Sequence, residues 1–87
     1  LQNYPNPFNP VTEITFTIEE YGQFSLRIFD LRGNLVKKLK EEIGPPGRYQ
    51  VIWNSKDENG KKVPSGVYLC QLKTAQKTHN SRMLLLK

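Results

Sequence analysis

Along most of this chain apolar and polar residues alternate with a period of two, and that feature excludes a helical fold. Between Glu13 and Glu19, Ile14, Phe16 and Ile18 alternate with Glu13, Thr15, Thr17 and Glu19. Successive side chains of a strand point to opposite faces, so the pattern is a strand with one buried face. Phe24, Leu26 and Ile28 repeat it in Phe24–Asp30, Tyr49, Val51 and Trp53 in Arg48–Asn54, and Tyr68, Cys70 and Leu72 in Val67–Lys73. The last stretch, Thr78–Lys87, ends in Met83-Leu84-Leu85-Leu86, apolar on both faces. Leu35–Lys40 alternates less cleanly, because Lys37 shares a face with Leu35 and Leu39. It reads as a short strand near an edge, able to join either sheet, where lysine deters pairing with other chains. No segment carries the 3.6-residue period of an amphipathic helix.

Turn chemistry separates these runs. Tyr21-Gly22-Gln23 divides the first two strands, and Leu31-Arg32-Gly33-Asn34 is short enough for a hairpin, with Gly33 supplying the positive φ of a tight return. Gly44-Pro45-Pro46-Gly47 interrupts regular structure and marks a longer connection, a candidate crossover between sheets. Asn59-Gly60 is a strong turn dipeptide, and Pro64-Ser65-Gly66 leads into the next strand. Six or seven short strands at this spacing predict an all-β fold, an antiparallel β-sandwich. No internal repeat and no second domain are evident, so residues 1–87 read as one domain.

The opening, residues 1–11, is different. Tyr4-Pro5-Asn6-Pro7-Phe8-Asn9-Pro10 is extended and poor in backbone donors, which bars it from a central strand. It is expected to run along an edge or across one end of the sandwich, with Tyr4 and Phe8 turned inward to close the core.

At 87 residues, folding hides only ~60–65% of the surface the unfolded chain exposes, which leaves little room for both a core and a deep catalytic cleft. The single cysteine, Cys70, excludes an internal disulfide and a cysteine-built metal site; the single histidine, His79, excludes a His-pair metal site. No catalytic, cofactor-binding or metal-binding residues are expected. No apolar run approaches the ~18 residues of a membrane span. The start lacks a basic-plus-apolar signal region, so if the protein is secreted its export signal is expected elsewhere, on a longer parent chain.

The net charge of +5 is uneven. From Asn59 onward the chain holds six basic residues, Lys61, Lys62, Lys73, Lys77, Arg82 and Lys87, and no acid. Such asymmetry fits contact with an acidic partner, or simply a solvated face. Nucleic acid is not expected, since there is no helix for a major groove and no glycine–aromatic strand motif of the RNA-binding kind.

Other chemical readings reduce to structure. Asp57-Glu58-Asn59-Gly60 looks like part of a calcium loop, but Lys61, Lys62 and Val63 follow where oxygen ligands are required, so a plain turn is expected. Glu19-Glu20 and Glu41-Glu42 are expected as solvated acids at strand ends rather than a glycosidase-like pair. His79 has no nucleophile elbow beside it and reads as a surface residue. Cys70, between Tyr68 and Leu72, reads as a small buried hydrophobe. Of the aromatics, most are expected in the core rather than in a sugar platform. Phe29 and Ile52 fall on the outward phase and, if adjacent, form a candidate contact patch.

Several motifs resemble one family. Asn3-Tyr4-Pro5-Asn6-Pro7-Phe8-Asn9-Pro10 with Thr12 and the Ile14/Phe16 strand is similar to the opening of the type A C-terminal sorting domains of the type IX secretion system. The resemblance continues through Leu26-Arg27-Ile28-Phe29-Asp30-Leu31-Arg32-Gly33, Gly47-Arg48-Tyr49, Trp53, Pro64-Ser65-Gly66-Val67-Tyr68 and the tail Arg82–Lys87. The stretch from Trp53 to Tyr68 also looks like the Ig-like module of flagellar hook-capping proteins. In that group a glycine often follows the Trp-Asp/Asn pair, and Ser55 stands in its place here.

The resemblance implies a non-catalytic Ig-like sandwich that is an address tag for an upstream passenger. It implies recognition by the secretion machinery (shuttle, translocon and sortase) in the periplasm, passage through the outer membrane, and delivery to the cell surface or outside. It also implies that recognition elements cluster in the final strands. Gly66, Val67, Tyr68, Lys73, Lys77, Arg82, Met83, Leu84, Leu85, Leu86 and Lys87 are the expected partner-recognition residues, with the terminal strand offering an edge for strand addition. The competing expectations are an accessory Ig-like or carbohydrate-binding module of a secreted hydrolase, dependent on an exposed aromatic such as Phe29, and a structural spacer.

Overall fold

The computed structural model describes all 87 residues. Seven strands follow one another: β1 Gln2–Tyr4, β2 Thr12–Ile18, β3 Gly22–Phe29, β4 Leu35–Gly44, β5 Gly47–Trp53, β6 Gly66–Thr74 and β7 Thr78–Leu85. They pair antiparallel in two sheets, β1-β2-β5 and β4-β3-β6-β7. This is the expected all-β, Ig-like sandwich. Its core is built from the period-two sets: Ile14, Phe16 and Ile18 face Phe24, Leu26 and Ile28, joined by Tyr68, Cys70, Leu72, Met83 and Leu85. Full burial of side chains of this kind contributes ~1.5–3 kcal/mol each.

β4 keeps its expected place at an edge but is longer than the expected short strand. It lies beside β3 at the edge of the four-stranded sheet and runs past Lys40 to Gly44. Two register shifts against β3 leave Val36 and Leu39 without direct partners. Each such bulge adds one residue and flips the face that follows. Val36 and Leu39 therefore pack on the core while Leu35 is exposed, and no regular alternation is visible in the sequence. Glu41 and Glu42 sit inside the strand rather than at its end. Glu41 lies 3.5 Å from Arg27 and 3.3 Å from Lys38, and Glu42 lies 2.7 Å from Lys40. The Gly44–Gly47 segment is a crossover between sheets as expected, but a tight one, with only Pro45 and Pro46 between the strands.

Two short motifs occur twice, although no repeat stands out in the sequence. In Asp30-Leu31-Arg32-Gly33-Asn34 the Asp30 Oδ1 accepts from the backbone N–H groups of Arg32 and Asn34, both at 2.9 Å. In Asp57-Glu58-Asn59-Gly60-Lys61 the Asp57 Oδ1 accepts from Asn59 and Lys61, at 2.9 and 3.0 Å. Gly33 and Gly60 take φ of 87° and 80°, which a side chain would resist. Asp57–Gly60 is thus the plain turn expected of it, capped by its own aspartate. The second motif, Pro-x-Gly-x-Tyr, opens β5 and β6. The hydroxyls of Tyr49 and Tyr68 donate to the carbonyls of Pro45 and Pro64, at 2.7 and 2.5 Å. The Tyr68 bond is the tyrosine corner of Ig-like sandwiches.

The opening segment divides in two. β1 pairs with β2, and the chain then crosses to the other sheet, where Phe8 bridges to Leu85 of β7 while its ring (2% exposed) sits inward against Trp53 of β5, with ring centroids 5.7 Å apart. Tyr4, expected inward, is 83% exposed. It belongs to an edge strand whose burial alternates, and the half-buried, inward-facing residue is Asn3 rather than Tyr4, with Asn3 Nδ2 donating to Thr12 Oγ1 at 3.2 Å. Ser55 holds φ at 63°, so its position is the left-handed one that a glycine adopts freely. Its buried hydroxyl donates to the Pro10 carbonyl and ties the lead to the loop after β5.

Candidate recognition surface

Gly66, Val67 and Tyr68 begin β6, an inner strand of the four-stranded sheet, paired with Leu85, Leu84 and Met83 of β7. Tyr68 is a core residue: its ring meets Trp53 edge-on at 5.4 Å, and burial raises its phenol above the ordinary value, with Asp30 adding to the effect. Met83 and Leu85 are also buried, Val67 and Leu84 are half-buried, and Leu86 is 49% exposed. The residues singled out by the motifs therefore do two jobs. Tyr68, Met83 and Leu85 hold the terminal strand in place; Lys73, Lys77, Arg82, Leu86 and Lys87 face outward.

The basic residues differ in freedom. Lys77 lies 3.6 Å from Glu19. Lys87 is anchored, its ammonium donating to the Val63 carbonyl and its N–H to Ser65 Oγ at 3.0 Å. Lys73 and Arg82 have no carboxylate within ion-pair distance.

β7 is an edge strand, and the lead covers its downstream half. Phe8 N–H donates to Leu84 O at 2.9 Å, and Leu86 N–H donates to Phe8 O at 3.0 Å. The Asn6 carboxamide accepts from Leu84 N–H at 3.0 Å and donates to Arg82 O at 3.3 Å. No feature of composition or spacing points to Asn6, because its partners are more than seventy residues away. The opposite edge, β4, is closed by Glu58. Its N–H donates to Val36 O at 3.0 Å, and its carboxylate accepts from Lys38 N–H at 2.6 Å.

The remaining candidates stand apart from this surface. Cys70 is buried, and desolvation pushes its thiol up to about 12. His79 is exposed on β7. Glu19 and Glu20 are exposed, and Glu20 accepts from Gln76 Nε2 at 3.0 Å. Phe29 lies in the four-stranded sheet and Ile52 in the three-stranded one, so the contact patch expected of them does not form.

Fold and surface together define an Ig-like β-sandwich with its final strand on a sheet edge. Residues 2–86 match the family model of the secretion system C-terminal sorting domain, and the chain belongs to that family, the one its motifs resemble. A domain of this family is a non-catalytic sorting signal, which directs the protein bearing it to the cell surface or beyond. Among solved structures, the chain is similar to PorZ, an essential bacterial surface component of the type IX secretion system of Porphyromonas gingivalis. The TM-score is 0.67 at 24% identity, covering 99% of this chain and 11% of PorZ. It is also similar to dimeric latent PorU from the same organism, with TM-score 0.64 at 22% identity, covering 98% of this chain and 9% of PorU. The chain thus spans about a tenth of the length of each of these proteins. No curated protein matches it.

Proposed function

We propose that this domain is a type IX address tag on a larger passenger. In this reading the secretion machinery of a Gram-negative bacterium recognises it in the periplasm and passes the passenger across the outer membrane. A surface sortase then acts on the protein or it is released. The observation that carries the reading is the position of β7, the last strand of a sorting domain, at a sheet edge beside the unpaired cations Lys73 and Arg82. Recognition through Gly66–Tyr68 is indirect, since those residues set the path of β6 and hold β7 against it. Contact falls to Lys73, Arg82 and Leu86, with smaller parts for Lys77 and Lys87, whose ammonium groups already have partners.

The test is a secreted reporter fused ahead of residues 1–87 in a bacterium that runs the type IX pathway. The reporter is expected to become accessible at the cell surface or in the medium; retention in the periplasm refutes the reading. Truncation of Met83–Lys87 does not separate recognition from folding, because Met83 and Leu85 are core residues. Lys73→Gln with Arg82→Gln is the cleaner perturbation. It should weaken receptor binding at low ionic strength and matter less at high salt, as screened surface charge does.

A further inference from the structure

The sheet edges are closed unequally. β4 is covered by Glu58, and beyond it the inner-face pair Lys40–Glu42 puts charge where an added strand would have to pack. β7 is covered only downstream. There Leu84 uses both its N–H and its C=O on the lead, Leu86 its N–H and Arg82 its C=O. The even-numbered residues of β7 therefore direct their backbone groups to the edge, and the register with β6 is unbroken. By the same period Thr78 and Asn80 direct N–H and C=O outward, and Arg82 its N–H. No bond outside the strand ladders reaches these groups. Asn6 marks where the free stretch stops, because its carboxamide offers Leu84 and Arg82 the acceptor and donor that a strand residue would offer. Pro5 and Pro7 beside it carry no N–H to extend the sheet.

Beside Ser81, where the free stretch nears Asn6, lies a cleft of about 350 Å³ against β1 and β2, lined by Gln2, Asn3, Tyr4 and Asn6 among others. Ser81 is opposite Cys70 and so lies on the inner face, whereas Arg82 is opposite Leu69 on the outer face. Arg82 thus flanks the edge on the outer face and has no ion-pair partner. β5 exposes an edge too, but it lines neither this cleft nor the others near the β2–β3 loop, β3 and the lead.

We infer that Thr78–Arg82 is a strand-addition site for an extended protein segment that places acidic side chains beside Arg82 on the outer face of the sheet. About five residues, ~17 Å of strand, fill it before Asn6 blocks the way. The inference deepens the sorting reading by naming the surface and the chemistry of what binds it.

The probe is the capped peptide Thr-Val-Glu-Lys-Glu-Val-Thr, added to the isotopically labelled chain. At saturation the amides of Thr78, Asn80 and Arg82 should become protected from hydrogen exchange, with shifts at Ser81 and Asn3 beside the cleft. Asn80→Pro removes an outward N–H and leaves the ladder to β6 intact, so it should weaken binding about tenfold or more. The charge-exchanged peptide Thr-Val-Lys-Glu-Lys-Val-Thr should bind about tenfold more weakly, the equivalent of ~1.4 kcal/mol. Should Asn80→Pro fail to fold, Arg82→Glu gives the same reading through charge. Protection at β5 or β4 instead, no perturbation at millimolar peptide, or equal affinity for the two peptides overturns the inference. In cells the two ideas separate. If the wild-type fusion and its Asn80→Pro form are exported equally, the edge site falls and the sorting reading stands. If the wild-type fusion is not exported the sorting reading falls, and the peptide titration still decides the site.

Discussion

Phe8→Ala asks whether the proline-rich lead is part of the core or a strap laid over it. The ring is 2% exposed and packs on Trp53 at 5.7 Å, among the largest fully enclosed side chains of the chain. Truncating such a phenylalanine costs about 3–5 kcal/mol, of which the aromatic pair accounts for ~0.5–1.5. Domains of this size lose ~4–8 °C in Tm per kcal/mol, so the melting point should fall by upward of ~12 °C. The backbone bonds of Phe8 to Leu84 and Leu86 survive the substitution in principle, since alanine keeps the N–H and C=O. They break only if the lead lifts away. Thermal melting and residue-resolved hydrogen exchange separate the cases: a seated lead lowers Tm but keeps the Leu84 and Leu86 amides relatively protected, whereas a lifted lead lets both exchange well ahead of Leu85. A loss under ~1 kcal/mol with unchanged exchange would refute the assignment of Phe8 to the core.

Tyr68→Phe keeps the buried ring and deletes only the bond to the Pro64 carbonyl, so denaturant melts should show a loss of ~1 kcal/mol; a loss above ~3 would mean that the corner holds more than one hydrogen bond. Asp30 is held below the usual carboxyl range chiefly by the Asn34 N–H, with the Arg32 N–H and the Asn34 amide helping against desolvation. A carboxyl depressed in the folded state adds stability above the unfolded value of ~3.9, and that stability is lost as pH falls through the folded value. The stability gap between wild type and Asp30→Asn should therefore narrow from about pH 5 to about pH 2, and a gap independent of pH counts against it. Cys70, with its thiol pushed up to about 12 and its side chain buried, should resist iodoacetamide at pH 8 until denaturant is added. Prompt labelling of the folded chain would contradict that burial.

Local features of the sequence decided a good deal. Alternation marked β2, β3, β5 and β6 and named most of their buried residues, because a strand's side chains switch faces at every residue whatever lies opposite. Gly33, Asn59-Gly60 and Pro45-Pro46 placed the turns, since φ restrictions act within a few residues. The Pro-x-Gly-x-Tyr spacing occurs twice but does not stand out as a repeat, because neither copy is long or alike outside those three positions.

What alternation could not reach is the partnering of edges. The bulges that turn Val36 inward depend on how β4 lies against β3, and the closure of β4 by Glu58 joins residues some twenty positions apart. The docking of Asn6 and Phe8 on β7 spans nearly the whole chain, and with it go the exposure of Tyr4 and the free stretch at Thr78–Arg82. A period of two says which way a side chain points relative to its own strand. Which strand, loop or lead answers an outward N–H is settled only when the two sheets pack and bring distant segments to the same rim.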